Sequence, residues 1–158
     1  MKKNILLAYL IIVIGCSKNP QELNSICTYE NVKLDTTNIN LNENDILATW
    51  VLHSIVDLSD CSVKNRPEEF PEIVVISFND SCKISGHTGN EFVGNYFLVE
   101  NKIKININTL TELGEPEWAL NFLNAVKNLD YCFIKESKLF IFFNQSTKVM
   151  IFKKINGE

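Results

Sequence analysis

The sequence predicts a mainly β domain, in the form of a small antiparallel barrel or a strongly curved sheet of about eight strands, with one helix before the last three strands. Two observations support this fold class. Short runs of β-branched and aromatic residues recur from Thr49 onward between turn residues, and residues 116–128 show a helical period. Because closure of a sheet removes its exposed edges, we expect the helix to cover one opening of a barrel.

The first part of the domain contains three predicted strands. Residues 50–56 (WVLHSIV) are rich in β-branched and aromatic side chains, and residues 73–78 (IVVISF) are almost wholly apolar. Such a run is typical of a strand that is covered on both faces. A polar loop that contains Pro67 and Pro71 separates these two segments, and residues 82–86 begin the third strand.

Residues 91–100 and 102–108 predict a hairpin with its turn about Glu100 and Asn101. The second arm (KIKININ) alternates isoleucine with lysine or asparagine, which predicts one buried face and one exposed face. The residues expected to face inward are Ile103, Ile105 and Ile107.

The helix is predicted to begin near Pro116, because proline is favoured at a first helical position. Glu115 and Glu117 flank it, and we interpret them as partners of the helix dipole rather than as an acid–base pair. Large apolar residues then recur near a helical period up to about Asn128: Trp118, Phe122, Val126 and Leu129.

The chain is predicted to end with strands at residues 131–135, 139–143 and 148–153. We expect the large aromatic residues of the domain to form its core rather than a set that stacks on a ligand. These are Trp50, Phe78, Tyr96, Trp118, Phe122 and Phe142.

The first residues resemble an export signal. Two lysines precede an apolar stretch at residues 5–14, which is long enough for a signal peptide and too short to span a bilayer. The following Val13-Ile14-Gly15-Cys16 resembles the bacterial lipobox, which implies that residues 1–15 are removed and that Cys16 carries a lipid. An ordinary secretory leader with an incidental cysteine is the alternative. We therefore expect a lipid-anchored protein of the cell envelope, held at the outer membrane on either its periplasmic or its surface face.

Residues 16–45 are interpreted as a polar tether and residues 46–158 as the folded domain. From Ser17 to about Asp45 the apolar residues are spaced singly, and neither a helical nor a strand period persists. Cys27 lies in this segment, where it could attach the tether to the domain or to a partner.

Once Cys16 is acylated, four cysteines remain in a compartment that permits disulfides. These residues, Cys27, Cys61, Cys82 and Cys132, allow three pairings, among which the sequence does not choose. Cys132 lies in an apolar strand pattern, so a buried free thiol is the alternative for it.

Composition and motifs argue against several classes of function. The net charge is -4, or -6 without the two leader lysines, since Lys+Arg then falls from 15 to 13 against 19 acids. We therefore expect no nucleic-acid partner. His53 and His87 lack the spacing of zinc ligands, and no catalytic or cofactor motif is present. A thiol nucleophile at Cys82 with His87 as its base is the enzymatic alternative. We expect no catalytic residues, metal site or cofactor.

Residues 84–96 (ISGHTGNEFVGNY) are similar to the signature of META-domain proteins, the HslJ-like envelope family. The likeness rests on ordered glycines, an asparagine and aromatic residues: Gly86, Gly89, Asn90, Phe92, Gly94 and Tyr96. It extends over most of residues 49–154 and includes Trp50-x-Leu52, Thr109, Thr111 and Phe152-Lys153.

The resemblance implies the same fold, a role in the envelope with links to stress, and a source among Bacteroides-like bacteria. Many relatives carry one cysteine at the place of Gly89 and another within residues 112–114, so their disulfide cannot form here. From the residues themselves we interpret the glycines and Asn90 as structural elements of a strand bend.

These observations together predict a non-catalytic envelope lipoprotein that binds or stabilises another envelope protein. One alternative is an inhibitor or chaperone-like module that acts through a sheet edge or through residues 59–71. Others are a carrier of a small apolar ligand in the barrel mouth and a small hydrolase.

Overall fold

The computed structural model describes residues 27–34, 41–69, 74–110 and 114–155, which form eleven strands, one α-helix and two 3-10 helices. In chain order the strands and the α-helix are β1 Thr28–Tyr29, β2 Val32–Lys33, β3 Thr49–Asp57, β4 Ser62–Asn65, β5 Val75–Phe78, β6 Lys83–His87, β7 Glu91–Val99, β8 Lys102–Leu110, α1 Glu117–Ala125, β9 Leu129–Lys135, β10 Lys138–Phe143 and β11 Lys148–Lys154. The 3-10 helices span Glu43–Ile46 and Val126–Asn128.

Eight strands close into an antiparallel barrel in the order β3, β5, β6, β7, β8, β9, β10 and β11, with β11 paired back to β3. β3 pairs with β5 through residues 49–51 and with the additional strand β4 through residues 54–57. The predicted fold class, a small antiparallel barrel with one helix before the last three strands, is confirmed.

β4 is a strand that the sequence did not predict, since it lies within the loop at residues 59–71. All four of its residues are exposed. Because no buried side chain alternates along it, the segment carries no period that distinguishes a strand from a loop.

The barrel interior is filled by large side chains. Trp50, Phe78, Tyr96, Trp118 and Phe122, all predicted as core, belong to this interior cluster. Phe142 is buried as well, but it lies in a second cluster on the outer face of the barrel. The cause is that β10 is buried on both faces, so alternate residues of the run LFIFF enter different clusters.

The helix α1 closes one mouth of the barrel. Because neighbouring strands are antiparallel, β8 ends and β9 begins at the same mouth, and α1 connects them there. The ring of Phe122 lies 6.0 Å from that of Phe92 and 6.3 Å from that of Phe152, measured between centroids. The helix therefore supplies part of the interior core.

The first 3-10 helix lies at the opposite mouth, where β3 begins. Ile46 is fully buried in the interior cluster, and its carbonyl oxygen accepts a hydrogen bond from Trp50 Nε1 at 2.9 Å. Both mouths are thus covered by chain segments that contribute core side chains.

The β1–β2 hairpin covers part of the outer surface of the barrel. Tyr29, Val32 and Leu34 are buried there, and a disulfide joins Cys27 to Cys61 in the turn after β3. The barrel side of this outer cluster consists of Val56, Phe133, Phe140, Phe142, Val149 and Ile151.

Residues 27–34 lie within the segment that the sequence suggested was tether, and here the structure differs from that interpretation. Each strand of the hairpin has two residues, which is too short to show a period of alternation. Its burial depends on an apolar outer face that only the folded barrel presents. The remaining tether residues before Cys27, together with Cys16 and the leader, lie outside the described residues.

Candidate binding groove

A gap in the barrel wall lies between β8 and β9. β8 pairs with β7 along its length, whereas its ladder with β9 consists of the single pair Lys102–Tyr131. Beyond that pair, the chain opposite β8 is the 3-10 helix Val126–Asn128 and then α1. A helix cannot continue a strand ladder, so beyond that pair β8 has no strand partner on this side among the described residues.

The backbone groups that face the gap can be identified from the ladder. The amide of Cys132 donates to the carbonyl oxygen of Asn101 at 2.8 Å, so Asn101 directs its backbone towards β9. Backbone direction alternates along a strand, and Ile105 and Ile107 therefore face the same side. Within the described part of the chain, no strand pairs with them on that side.

A groove of about 1230 Å³ follows this open edge. Isoleucines of β8 lie along it on one side, and Leu120 and Leu123 of α1 lie on the other. Leu120 is 46% exposed, and Phe97 and Val99 on the adjoining β7 are 56% and 66% exposed. Several large apolar side chains therefore face solvent around one concave surface, which is typical of a binding site.

The charges around the groove are mainly positive. Lys102, Lys104 and Lys127 line it together with one acid, Asp130. The carboxylate of Asp130 is already engaged, because its Oδ2 accepts from the backbone amide of Ser146 at 2.6 Å. The groove is thus a basic and apolar surface on a chain whose net charge is -4.

A second cleft, of about 460 Å³, lies between α1 and the ends of β3 and β10. It is lined mainly by polar residues, and its aspartate, Asp57, forms an ion pair with Lys148 at 3.0 Å. Hydrogen bonds from Ser59, followed by that of Lys148, lower the pKa of Asp57 to about 2. Because these charges satisfy each other, the first groove is the better candidate for a binding site.

The residues of the family-like motif hold strands and helix together. Asn90 is buried and donates through Nδ2 to Glu115 Oε1 at 2.8 Å, and the buried Thr88 donates to the same oxygen at 2.5 Å. From the sequence, Asn90 was interpreted as a structural element of the strand bend and Glu115 as a partner of the helix dipole. Glu115 acts as the acceptor that ties the β6–β7 turn to the start of α1.

The other motif residues lie in β6, in β7 and in the turn between them. Phe92 is buried opposite Gly86 in the β6–β7 pair, and Gly89 has a φ of 110°, a value that favours glycine. Tyr96 donates to the carbonyl oxygen of Asn79 at 3.0 Å, and burial raises its pKa. Gly94 lies at a bulge in the β7–β8 ladder, where β8 approaches closely.

His53 lies in a polar cluster beneath the β1–β2 hairpin. Lys153 Nζ donates to His53 Nε2 at 3.0 Å, which assigns the ring proton to Nδ1. Nδ1 lies 2.8 Å from Ser54 Oγ and 3.1 Å from the Tyr29 hydroxyl. Burial lowers the pKa of His53, and the charges of Lys153 and Arg66 lower it further.

The cluster around His53 therefore links the hairpin to the barrel. The Ser54 hydroxyl belongs to a fully buried residue and donates to Asn65 Oδ1 at 2.9 Å, so it is not available to a substrate. Lys153 occupies the ring nitrogen of His53 that a metal ion would need. Among the described residues, no three histidine, cysteine or acidic side chains converge in a way that could hold a metal.

Cys82 and His87 are not brought together. Cys82 immediately precedes β6 and His87 ends it, which places them about 16 Å apart at the rise of an extended strand. The structure therefore does not assemble the thiol–imidazole pair considered from the sequence. Cys132, the second free cysteine among the described residues, is fully buried, and desolvation raises the pKa of its thiol to about 12.

The groove itself was missed from the sequence, although one signal was present. In the predicted hairpin the isoleucines of β8 face inward, and the lysines between them face outward. Residues that are paired across the two strands lie on the same face, so the β7 residues opposite these lysines also face outward. Phe97 and Val99 are paired with Lys104 and Lys102 on that outer face. Two large apolar residues at outward positions would have indicated a contact surface.

The segment proposed for lipid attachment, including Cys16, lies outside the described residues. Within the residues that the structure does describe, no helix combines the length and the apolar character needed to span a membrane.

The fold and the groove define this chain as a small β-barrel in which part of β8 has no strand partner among the described residues on the side that faces the groove. It is similar to the crystal structure of a DUF4847 family protein from Bacteroides vulgatus, with a TM-score of 0.58 and 11% identity over 73% of this chain and 98% of that chain. It is also similar to the NMR structure of a protein from Burkholderia xenovorans, with a TM-score of 0.59 and 15% identity over 84% and 100%. No protein-family model and no curated protein matches the chain. At these identities the likeness shows the fold alone, and the resemblance to META-domain proteins stays a prediction.

Proposed function

We propose that this protein is a lipid-anchored module of the cell envelope that binds another envelope protein through the groove beside β8. The observation that carries the proposal is the groove itself, a large concave surface with exposed apolar side chains on a barrel whose interior is already filled. Exposed apolar residues gathered in one place are costly in water unless a partner covers them.

The placement in the envelope is supported by the leader, by the lipobox-like Val13–Cys16 segment and by the disulfide. A bond between Cys27 and Cys61 forms and persists in an oxidising compartment, such as the periplasm or the cell surface. If Cys16 carries the anchor, Cys16→Ala should release the protein from the membrane fraction. Continued sedimentation of this variant with membranes would contradict the anchor.

The partner is tested by site-specific photo-crosslinking in intact cells of the native host. A photoreactive amino acid is placed at Leu120 in the groove and, as a matched control, at Val63 on β4, since both residues are 46% exposed. We expect one discrete crosslinked envelope protein from Leu120 and from Val99, which also lines the groove, and none from Val63. The effect should weaken when Cys16→Ala removes the anchor, because the protein is then no longer concentrated at the membrane.

Equal crosslinking from Leu120 and Val63 would contradict a specific role for the groove. Crosslinking to lipid alone, with no protein adduct, would favour the alternative function, in which the apolar lining of the groove carries a small apolar ligand.

A further inference from the structure

We propose that the groove binds an extended, acidic segment of the partner, which adds to the open edge of β8 as a further strand beside Ile105 and Ile107. This inference rests on the proposed function, that the groove binds a protein, and it specifies the chemistry and the geometry of the bound segment.

The first argument is the unpaired backbone of β8. Ile105 and Ile107 direct amide and carbonyl groups into the groove, and within the described residues no strand satisfies them. A lipid or another apolar ligand cannot satisfy this row of donors and acceptors, whereas an extended peptide matches its spacing. The edge therefore favours a peptide over an acyl chain.

The second argument is the regular geometry of the β8 edge, which contains neither a proline nor a bulge between residues 103 and 107. Natural barrels remove strand edges by closing. Among the described residues, neighbouring strands of this eight-stranded ring are joined by ladders of at least three pairs, except that a single pair joins β8 to β9. The described part of β8 (KIKININTL) contains no proline. A bulge does occur in the β7–β8 ladder, but it lies beyond Ile107, so residues 103–107 stay regular. An added strand of about five residues fits this length.

The third argument is charge. The outward side chains of β8 beside the open edge are Lys102, Lys104 and Asn106, and Lys127 approaches from the other wall. A strand added to β8 would place alternate side chains next to these lysines and the remaining ones against Leu120 and Leu123. The expected segment therefore alternates acidic and apolar residues. A basic segment would meet like charges.

The test uses the disulfide-containing chain with Cys16→Ala and a synthetic peptide of about ten residues that alternates valine and glutamate. Its sequence is matched by one with lysine in place of glutamate and by two N-methylated peptides, one methylated at the valine amides and the other at the glutamate amides. N-methylation removes the donors of one strand edge while it keeps the side chains. Binding is followed by NMR chemical shifts and by hydrogen exchange of the Ile105 and Ile107 amides.

We expect the valine–glutamate peptide to bind and to slow exchange at Ile105 and Ile107. The lysine peptide and the peptide that is N-methylated on the pairing edge should each bind at least about tenfold more weakly. Lys104→Glu should weaken binding of the valine–glutamate peptide by a similar factor. Lys83→Glu makes the same charge change at an exposed residue outside the groove and should have little effect.

Failure of the peptide to bind at about 1 mM would overturn this inference, as would binding that stays unchanged both when one strand edge of the peptide is N-methylated and when the other is. Crosslinking of a protein from Leu120 would still stand in that case, so the proposed function would survive with a folded surface as the partner. Palmitate that displaces the peptide and itself perturbs the same amides would overturn the preference for a peptide.

Discussion

Cys27 and Cys61 are joined by a disulfide that links the N-terminal hairpin to the turn between β3 and β4, across 34 residues of sequence. The hairpin lies over a cluster that contains Phe140, Phe142 and Val149, side chains that would otherwise face water on the outside of the barrel. The bond therefore holds a cover over apolar surface, at the point where the chain leaves the proposed membrane tether.

Loss of this disulfide should destabilise the protein substantially. Cys27→Ser opens a long loop in the unfolded chain and releases the hairpin, so we expect a loss of about 2–4 kcal/mol in the free energy of unfolding. Urea denaturation of the Cys16→Ala form measures it. Cys82→Ser, at an exposed free cysteine, is the control and should stay within about 0.5 kcal/mol of the parent. Equal midpoints for the two variants would show that the hairpin contributes no stability through this bond.

Most of the barrel could be predicted because its strands and helix carry their own periods. The alternation of Ile103, Ile105 and Ile107 and the spacing of Trp118 and Phe122 are local signals, and the corresponding elements were predicted within a few residues. The β1–β2 hairpin carries no such signal, because its two-residue strands are stabilised by a distant surface and by a disulfide.

The candidate groove was less accessible to prediction for a topological reason. Its open edge arises because α1 and the following 3-10 helix occupy the place where a strand would pair with β8 beyond Lys102. Which edge stays open depends on the register of the whole barrel. Sequence reasoning did include a sheet edge among the possible contact sites, but it had no means to select β8.

Glu115 should contribute more to stability than its neighbour Glu117. Glu115→Ala leaves the buried donors of Thr88 and Asn90 without their shared acceptor, and we expect a loss of about 2–3 kcal/mol. Glu117 is paired with Lys64 at the surface, where its side chain is 82% exposed. Glu117→Ala is therefore the matched control and should have a much smaller effect. Similar unfolding midpoints in urea would show that the Glu115 contacts do not secure α1.

Because of His53, the stability of the protein should fall as the pH drops below the ordinary pKa of histidine. Burial and the charges of Lys153 and Arg66 hold its folded-state pKa below the usual 6.5. At a pH between the folded-state and the unfolded-state pKa of His53, the unfolded chain binds more protons than the folded chain. The contribution of His53 to stability is therefore complete above pH 6.5 and is lost as the pH falls towards the lower folded-state pKa.

His53→Gln should therefore flatten the dependence of the unfolding free energy on pH in this range, measured between about pH 7.5 and pH 5.5. His87→Gln leaves the cluster with Tyr29 and Ser54 intact and serves as the comparison, with the slope of the parent protein expected. A His53→Gln variant with the slope of the parent would assign the pH dependence to another group.

Gly94 should tolerate no larger residue, because the bulge in the β7–β8 ladder brings the two backbones together at this point. A Cβ atom on Gly94 would overlap the carbonyl oxygen of Asn106 and would lie 3.0 Å from Cα of Ile107. Since both atoms belong to backbone, a rotamer change cannot relieve the contact, and we expect Gly94→Ala to cost about 1–3 kcal/mol. Gly114→Ala is the matched control, because nothing lies within 4 Å of a Cβ atom there. Urea unfolding and the amide spectra of β7 and β8 measure the difference. The pairing of β7 with β8 also holds Phe97 and Val99 beside the groove. A Gly94→Ala variant that keeps both its stability and its affinity for the valine–glutamate peptide would show that this pairing does not shape the groove.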